Sequence, residues 1–292
     1  MSTQPSMFKT PEGQARYLAA YDAALKLWPV PVESFDVPTR FGPTHVHASG
    51  PNDAPPLLLL PGLGISSTMW YPNVAELSRA QRVYALDTIG DKGKSICTRS
   101  LLTRSDFVDW LSDVFSELRL EKVNFIGMSY GGFLGLNLAL AAPERVMKLV
   151  LLAPAASLLP LLPQFYVPLM ASRLLPGLPA ARNLMLRIFA RHDVNDSPVV
   201  EQFILKTDFQ GDYNVLPPVY TDDELRQVKA PTLLLIGEHE IIYDPRAALK
   251  RAANLIPNIQ TDLIPEAGHA LTLDQPELVN ARLLEFLKKQ DR

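Results

Sequence analysis

A chain of 292 residues with 47% hydrophobic and 20% charged residues can bury a large core, and it suits one sizeable α/β domain or one such domain carrying an insertion. Its 28 Lys and Arg against 31 Asp and Glu form no block of one sign, which excludes the electrostatic footprint of a nucleic-acid or other polyanion binder. The single cysteine, Cys97, excludes an intramolecular disulfide and a Cys-based zinc cluster and reads as a buried bystander.

The start, "MSTQPSMFKTPEGQARY", lacks a basic-then-apolar signal pattern, so the expected compartment is the cytoplasm. "ARYLAAYDAALKLW", residues 15–28, has apolar residues at helical spacing and predicts an N-terminal helix. "SFDVPTRFGPTHVHAS" alternates around "FGP" and predicts a hairpin. Six short runs follow: "PLLLLPG", "RVYALD", "KVNFIG", "MKLVLLAP", "PTLLLIGE" and "IQTDLIP". Most are apolar throughout, as strands covered on both faces are. Between them lie the helical patterns "STMWYPNVAELS", "SDFVDWLSDVFSELRL", "YGGFLGLNLALAA", "DPRAALKRAANL" and "PELVNARLLEFLKK". Alternation of this kind predicts an α/β fold with a mostly parallel central sheet flanked by helices.

The alternation stops between 154 and 221, where prolines cluster and short helices such as "ARNLMLRIFARH" replace strands. This predicts an inserted helical cap over 154–221 on a core of 1–153 and 222–292. Residues 151–179 are apolar enough to suggest a membrane span, but six prolines and Arg173 interrupt them, whereas a spanning helix needs about 20 unbroken apolar residues. The wall of a pocket or lid is the expected role of that stretch, and no membrane span is expected.

"NFIGMSYGGFLG" sets Ser129 in Gly127-Met128-Ser129-Tyr130-Gly131, which fits G-x-S-x-G, a nucleophile elbow. Roughly one chain in ten of this length would contain that pattern by chance, so its context decides. Here it falls between a predicted strand and a predicted helix, as an elbow requires. A serine hydroxyl also needs a base within reach and a third group to orient that base. Of the five histidines, His45 and His47 fall in the hairpin, His192 in the insertion and His239 beside a late strand. His269, in "IPEAGHALTLDQPE", follows the last strand and can reach the C-terminal sheet edge where catalytic groups gather. "LLLIGEHEIIYDP" supplies the acid: Glu240 is preferred for its place directly after the strand, Asp244 is the alternative, and Glu238 is expected to be structural.

In "LLPGLGISSTMW", "GMSYGG" and "GEHE…AGH", in the order Ser, acid, His, the chain resembles the α/β-hydrolase superfamily. In "PTRFGPTHVHASGPNDAPPLLLLPG", "STMWYPN", "IGDKGKS", "YTDDELR" and "GEHEIIYDP" it is similar to bacterial carboxylesterases that hydrolyse arylpropionate esters of the naproxen type. The resemblance implies a serine carboxylesterase acting on small-molecule apolar esters through an acyl-enzyme, without metal or cofactor. Ser129 would be the nucleophile, His269 the base and Glu240 the orienting acid. The oxyanion would be held by the backbone N–H groups of Tyr130 and Leu63. Many family members have His-Gly where this chain has Pro61-Gly62, so a side chain that braces the oxyanion loop is missing. Trp70, Tyr71, Phe165 and Tyr166 are candidates to wall an aromatic acyl pocket, and "DTIGDKGKS", residues 87–95, reads as a loop near the active-site rim. Two other readings stay open: the same triad acting on thioester, amide or carbon–carbon bonds or in acyl transfer, and a hydrolase-like ligand receptor without turnover.

Overall fold

The computed structural model describes residues 8–163, 165, 197–205 and 215–289. In chain order they form α1 (Pro11–Leu25), β1 (Glu33–Val37), β2 (Thr44–Ser49), β3 (Pro56–Leu60), α2 (Tyr71–Leu77), β4 (Arg82–Leu86) and α3 (Arg104–Glu117). They continue with β5 (Val123–Met128), α4 (Tyr130–Ala141), β6 (Val146–Leu152), α5 (Pro198–Ile204), α6 (Asp222–Arg226), β7 (Thr232–Gly237), α7 (Pro245–Leu255), β8 (Ile259–Ile264), α8 (Leu271–Asp274) and α9 (Pro276–Lys288). The architecture is a mostly parallel central β-sheet flanked by α-helices, as the sequence pattern predicts. None of the described helices is long and apolar enough to cross a membrane.

The chain divides into two compact units, Met1–Val123 with Ser197–Leu216, and Asn124–Asp196 with Pro217–Arg292. The predicted division at 154–221 does not coincide with these units. Within that insertion, residues 164, 166–196 and 206–214 lie outside the described residues, and with them the predicted helix "ARNLMLRIFARH" and His192.

In the first unit the strand order is β1-β2-β4-β3. The predicted hairpin is β1 paired antiparallel with β2, β2 pairs antiparallel with β4, and β3 pairs parallel with β4. Helix α1 starts four residues before the predicted position. Thr10 caps it by accepting from Gly13 N at 3.0 Å, and Pro11 takes the first helical position, where a missing N–H costs nothing. Apolar periodicity marks only the face that packs, so it missed this polar first turn. Helix α1 packs on α5, and a buried chain of hydrogen bonds ties it to the sheet. Tyr21 donates its hydroxyl proton to Asp87 Oδ2 at 3.0 Å, and its oxygen lies 2.7 Å from His47 Nε2. Ser34 Oγ lies 2.7 Å from His47 Nδ1. With Tyr21 already donating, the consistent assignment is a neutral His47 that donates from Nε2 and accepts at Nδ1. Asp87 also accepts from Ser67 N and Oγ and from Lys94 N, at 2.8, 2.6 and 2.7 Å. The 87–95 loop is therefore inside the unit: Asp87, Asp91, Lys92 and Ser95 are all buried.

In the second unit the order is β5-β6-β7-β8, with β6, β7 and β8 parallel. β5 and β7 are buried at every residue, which explains their largely apolar text, and β8 is partly exposed, with Gln260 and Thr261 on the surface. Helix α4 is buried from Tyr130 to Ala139, consistent with a helix apolar all round. Arg251 of α7 holds the carbonyls of Leu158 and Tyr220, the latter at 2.8 Å, together with Asp222 Oδ1 at 2.7 Å.

Burial pushes the His47 imidazole down to about 4, against the opposing pull of the Asp87 carboxylate. The unfolded chain therefore binds more protons than the native one between about pH 6.5 and 4. Stability present above about pH 6.5 is expected to be lost as the pH falls through that window. Urea unfolding across it should show this slope, and a His47→Gln variant should show a shallower one.

Candidate active site

The second unit brings together three of the residues singled out in the sequence. Ser129 ends β5 and opens α4 with φ 51° and ψ −110°, a conformation a non-glycine residue adopts at a cost of about 1–3 kcal/mol. Backbone bonds hold it there: Ser129 N donates to Leu152 O at 2.8 Å, and Ser129 O accepts from Phe133 N and Ala155 N, each at 3.1 Å. The turn is tight enough that a Cβ on Gly127 would lie 2.2 Å from Gly131 O, so the first glycine of the motif is a steric requirement.

His269 Nε2 lies 2.9 Å from Ser129 Oγ, and His269 Nδ1 lies 2.7 Å from Glu240 Oε2. An ionised carboxylate only accepts, so Nδ1 carries the ring proton and Nε2 is left to accept from the serine hydroxyl. The other Glu240 oxygen accepts from Ile241 N and Ile242 N, both at 2.9 Å. With its side chain fully buried, the glutamate is thus surrounded by three hydrogen-bond donors. Burial around this charge pushes the Tyr243 phenol well up, with the Glu240 carboxylate adding to the shift.

The other candidates have different places. Asp244 is exposed and caps α7, accepting from Ala247 N at 2.9 Å. Glu238 stands 3.7 Å from Arg246 in an ion pair. His239 is partly exposed, 3.8 Å from Glu266, and His45 pairs with Asp36 at 2.6 Å. Tyr130 is the first residue of α4, where backbone N–H groups have no carbonyl within the helix to serve. In the first unit, Leu63 is half-buried in the turn after β3, Trp70 is fully buried and Tyr71 is half-buried. Phe165 is half-buried, Tyr166 lies outside the described residues, and Cys97 is half-buried rather than buried.

Asp274 escaped the sequence reading. It is buried and accepts from Gly268 N at 2.8 Å, steadying the loop that presents His269. Its position five residues beyond the histidine was the only available signal.

The alpha/beta hydrolase family matches residues 57–282. The chain belongs to this family. It is 42% identical over 294 residues to carboxylesterase YbfK of Bacillus subtilis (strain 168), covering 97% of this chain and 98% of that protein. It is 43% identical over 287 residues to the uncharacterized carboxylesterase nap of the same strain, covering 94% and 93%. The crystal structure of naproxen esterase (carboxylesterase NP) from Bacillus subtilis superimposes with a TM-score of 0.90 at 42% identity, covering 97% of this chain and 100% of that one.

Asp244→Ala is expected to lower stability in chemical denaturation by about 1 kcal/mol, the usual cost of losing a helix N-cap. The cap contact takes no part in the Ser129–His269–Glu240 hydrogen bonds, so serine reactivity should survive this substitution.

Proposed function

We propose that this alpha/beta hydrolase is a serine carboxylesterase acting on small apolar esters, with Ser129 as nucleophile, His269 as general base and acid, and Glu240 as the acid that orients the histidine. The observation that carries the reading is the continuous chain from Ser129 Oγ through His269 to Glu240, at 2.9 and 2.7 Å. Similarity over nearly the whole length to proteins named carboxylesterases and to one named naproxen esterase supports the choice of ester, and of a bulky apolar acyl group, as substrate.

In this mechanism Ser129 Oγ attacks the ester carbonyl while its proton passes to His269 Nε2. Glu240 stabilises the resulting imidazolium across the Nδ1–H bond. The negative charge on the former carbonyl oxygen is held by the N–H of Tyr130, at the positive end of α4, and by that of Leu63. Collapse of the tetrahedral intermediate breaks the carbon–oxygen bond, and His269 returns the proton to the departing alcohol. Water, activated by the same imidazole, then hydrolyses the acyl-serine. The insertion over 154–221 serves as the cap that fits the acyl group, and the compartment is the cytoplasm.

Two sets of variants test these roles. Ser129→Ala should fold with an unchanged melting temperature, lose hydrolysis of a chromogenic short-chain ester by several orders of magnitude, and no longer take up a fluorophosphonate. A variant turning over near the wild-type rate would exclude Ser129 as nucleophile. Glu240→Gln should lower kcat by at least about a hundredfold, because the amide no longer fixes the tautomer or stabilises the imidazolium. Asp244→Asn should keep most activity, and a reversed outcome would transfer the orienting role to Asp244. Thioester and amide analogues measured alongside should be turned over more slowly than the ester.

A further inference from the structure

The loop carrying His269 is held from two sides by bonds to its own backbone. On one side stands the turn after β7, where Glu238 N donates to Ile264 O and His239 N donates to Ala267 O, each at 2.9 Å. The approach is close. A Cβ on Gly237 would lie 2.2 Å from Gly268 O and 2.4 Å from Ala267 O, so only glycine lets the two turns come together. Glu266 takes φ +52° in this loop, a conformation that persists in a residue with a side chain only where its surroundings impose it.

On the other side stands Asp274, the last residue of α8, which is 7% exposed. Its Oδ2 accepts from Gly268 N at 2.8 Å, and its own N–H donates to Ala270 O at 3.1 Å. One residue thus bonds both chain neighbours of His269. Gly268 N and Ala267 O belong to the same peptide. That plane is pinned at its N–H by Asp274 and at its carbonyl by the His239 amide, and it cannot turn without breaking both bonds. Between the plane and the His269 Cα lie only the two torsions of Gly268, a residue with no side chain to limit them. The backbone of Gly237 against Gly268 O, and the bond from Asp274 N to Ala270 O, limit them instead. Removing the Asp274 carboxylate frees the plane at one end and, through the freedom of Gly268, widens the range of positions open to the imidazole.

We propose that Asp274 is a positioning residue for ester hydrolysis: by fixing the Ala267–Gly268 peptide against the turn after β7, it holds His269 where Nδ1 meets Glu240 and Nε2 meets Ser129. This rests on the reading of His269 as the base, and every residue involved belongs to the second unit.

The test uses three substitutions. Asp274→Ala removes the acceptor and should lower kcat for the chromogenic ester by about 10²-fold, the scale of a catalytic group displaced by about 1 Å, with KM within about twofold. Asp274→Asn keeps an amide oxygen that can accept from Gly268 N, and should restore kcat to within about fivefold of wild type. Gly237→Ala presses on the same peptide from the opposite side with Asp274 intact, and should reproduce the fall in kcat. In proton NMR the Nδ1–H of His269 should resonate far downfield of the backbone amides, as a proton bonded to a buried carboxylate does. Asp274→Ala and Gly237→Ala should broaden this signal or move it upfield, while Asp274→Asn leaves it in place. A folded Asp274→Ala variant that keeps kcat within about threefold, or that loses efficiency through KM alone, overturns the proposal. An Asp274→Asn variant as slow as Asp274→Ala also overturns it, since the role would then belong to the charge. Should Asp274→Ala fail to fold, Gly237→Ala decides by the same criteria, and loss of fold in both assigns these contacts to stability alone and overturns the proposal. A wild type that neither turns over the ester nor takes up the fluorophosphonate fails the esterase reading, whereas wild-type activity beside unaffected variants fails this inference alone.

Discussion

The buried charge of Glu240 is the constraint on which the candidate site depends. A carboxylate removed from water is tolerated only when donors replace its hydration, and here two backbone amides and one imidazole do so. The two amides belong to the residues immediately after it, so the acid is held by the local turn at the end of β7 rather than by the histidine. That leaves His269 as the partner that must conform. Its ring plane, its tautomer and the direction of its Nε2 follow from satisfying one carboxylate oxygen, and Ser129 meets it from the strained turn between β5 and α4. Order at Ser129 is thus inherited from a charge two residues away in the hydrogen-bond chain.

The first unit uses a buried carboxylate for another purpose. Asp87 gathers a phenol, a hydroxyl and two backbone amides, and by doing so ties α1, the turn after β3 and the 87–95 loop to one point. The cost of burying the charge is offset locally, while the geometric consequence extends across elements distant in sequence. One carboxylate thus orients a histidine, and the other assembles a scaffold.

Much of this architecture is legible in the sequence, for reasons that differ by element. The strands are readable because strands buried on both faces are apolar at most positions, as β5 and β7 are, with Asn124 and Thr232 the polar exceptions. The elbow is readable because its sterics demand glycine at 127, and the histidine because few histidines follow it in the chain. The choice between Glu240 and Asp244 is not written in the spacing. It depends on which carboxylate turns inward and which caps a helix, and that is decided by the backbone around each. Asp87, Asp91 and Asp274 gave still less away. A polar residue in a loop carries no periodicity, and its partners are elsewhere: Gly64 is 27 residues from Asp91, and Ser66 is 136 from Gln202.

Arg251 carries a consequence for how the chain can vary. By holding the carbonyls of Leu158 and Tyr220 with one guanidinium, it draws the two ends of the insertion to a single point on α7. A loop whose mouth is already shut is nearly indifferent to its own contour, since doubling its length adds only about 0.6 kcal/mol of closure entropy. Between residues 158 and 220 the chain can therefore gain or lose residues at little penalty in loop closure. One arginine's grip on two carbonyls thus separates the length of this stretch from the stability of the elements it joins.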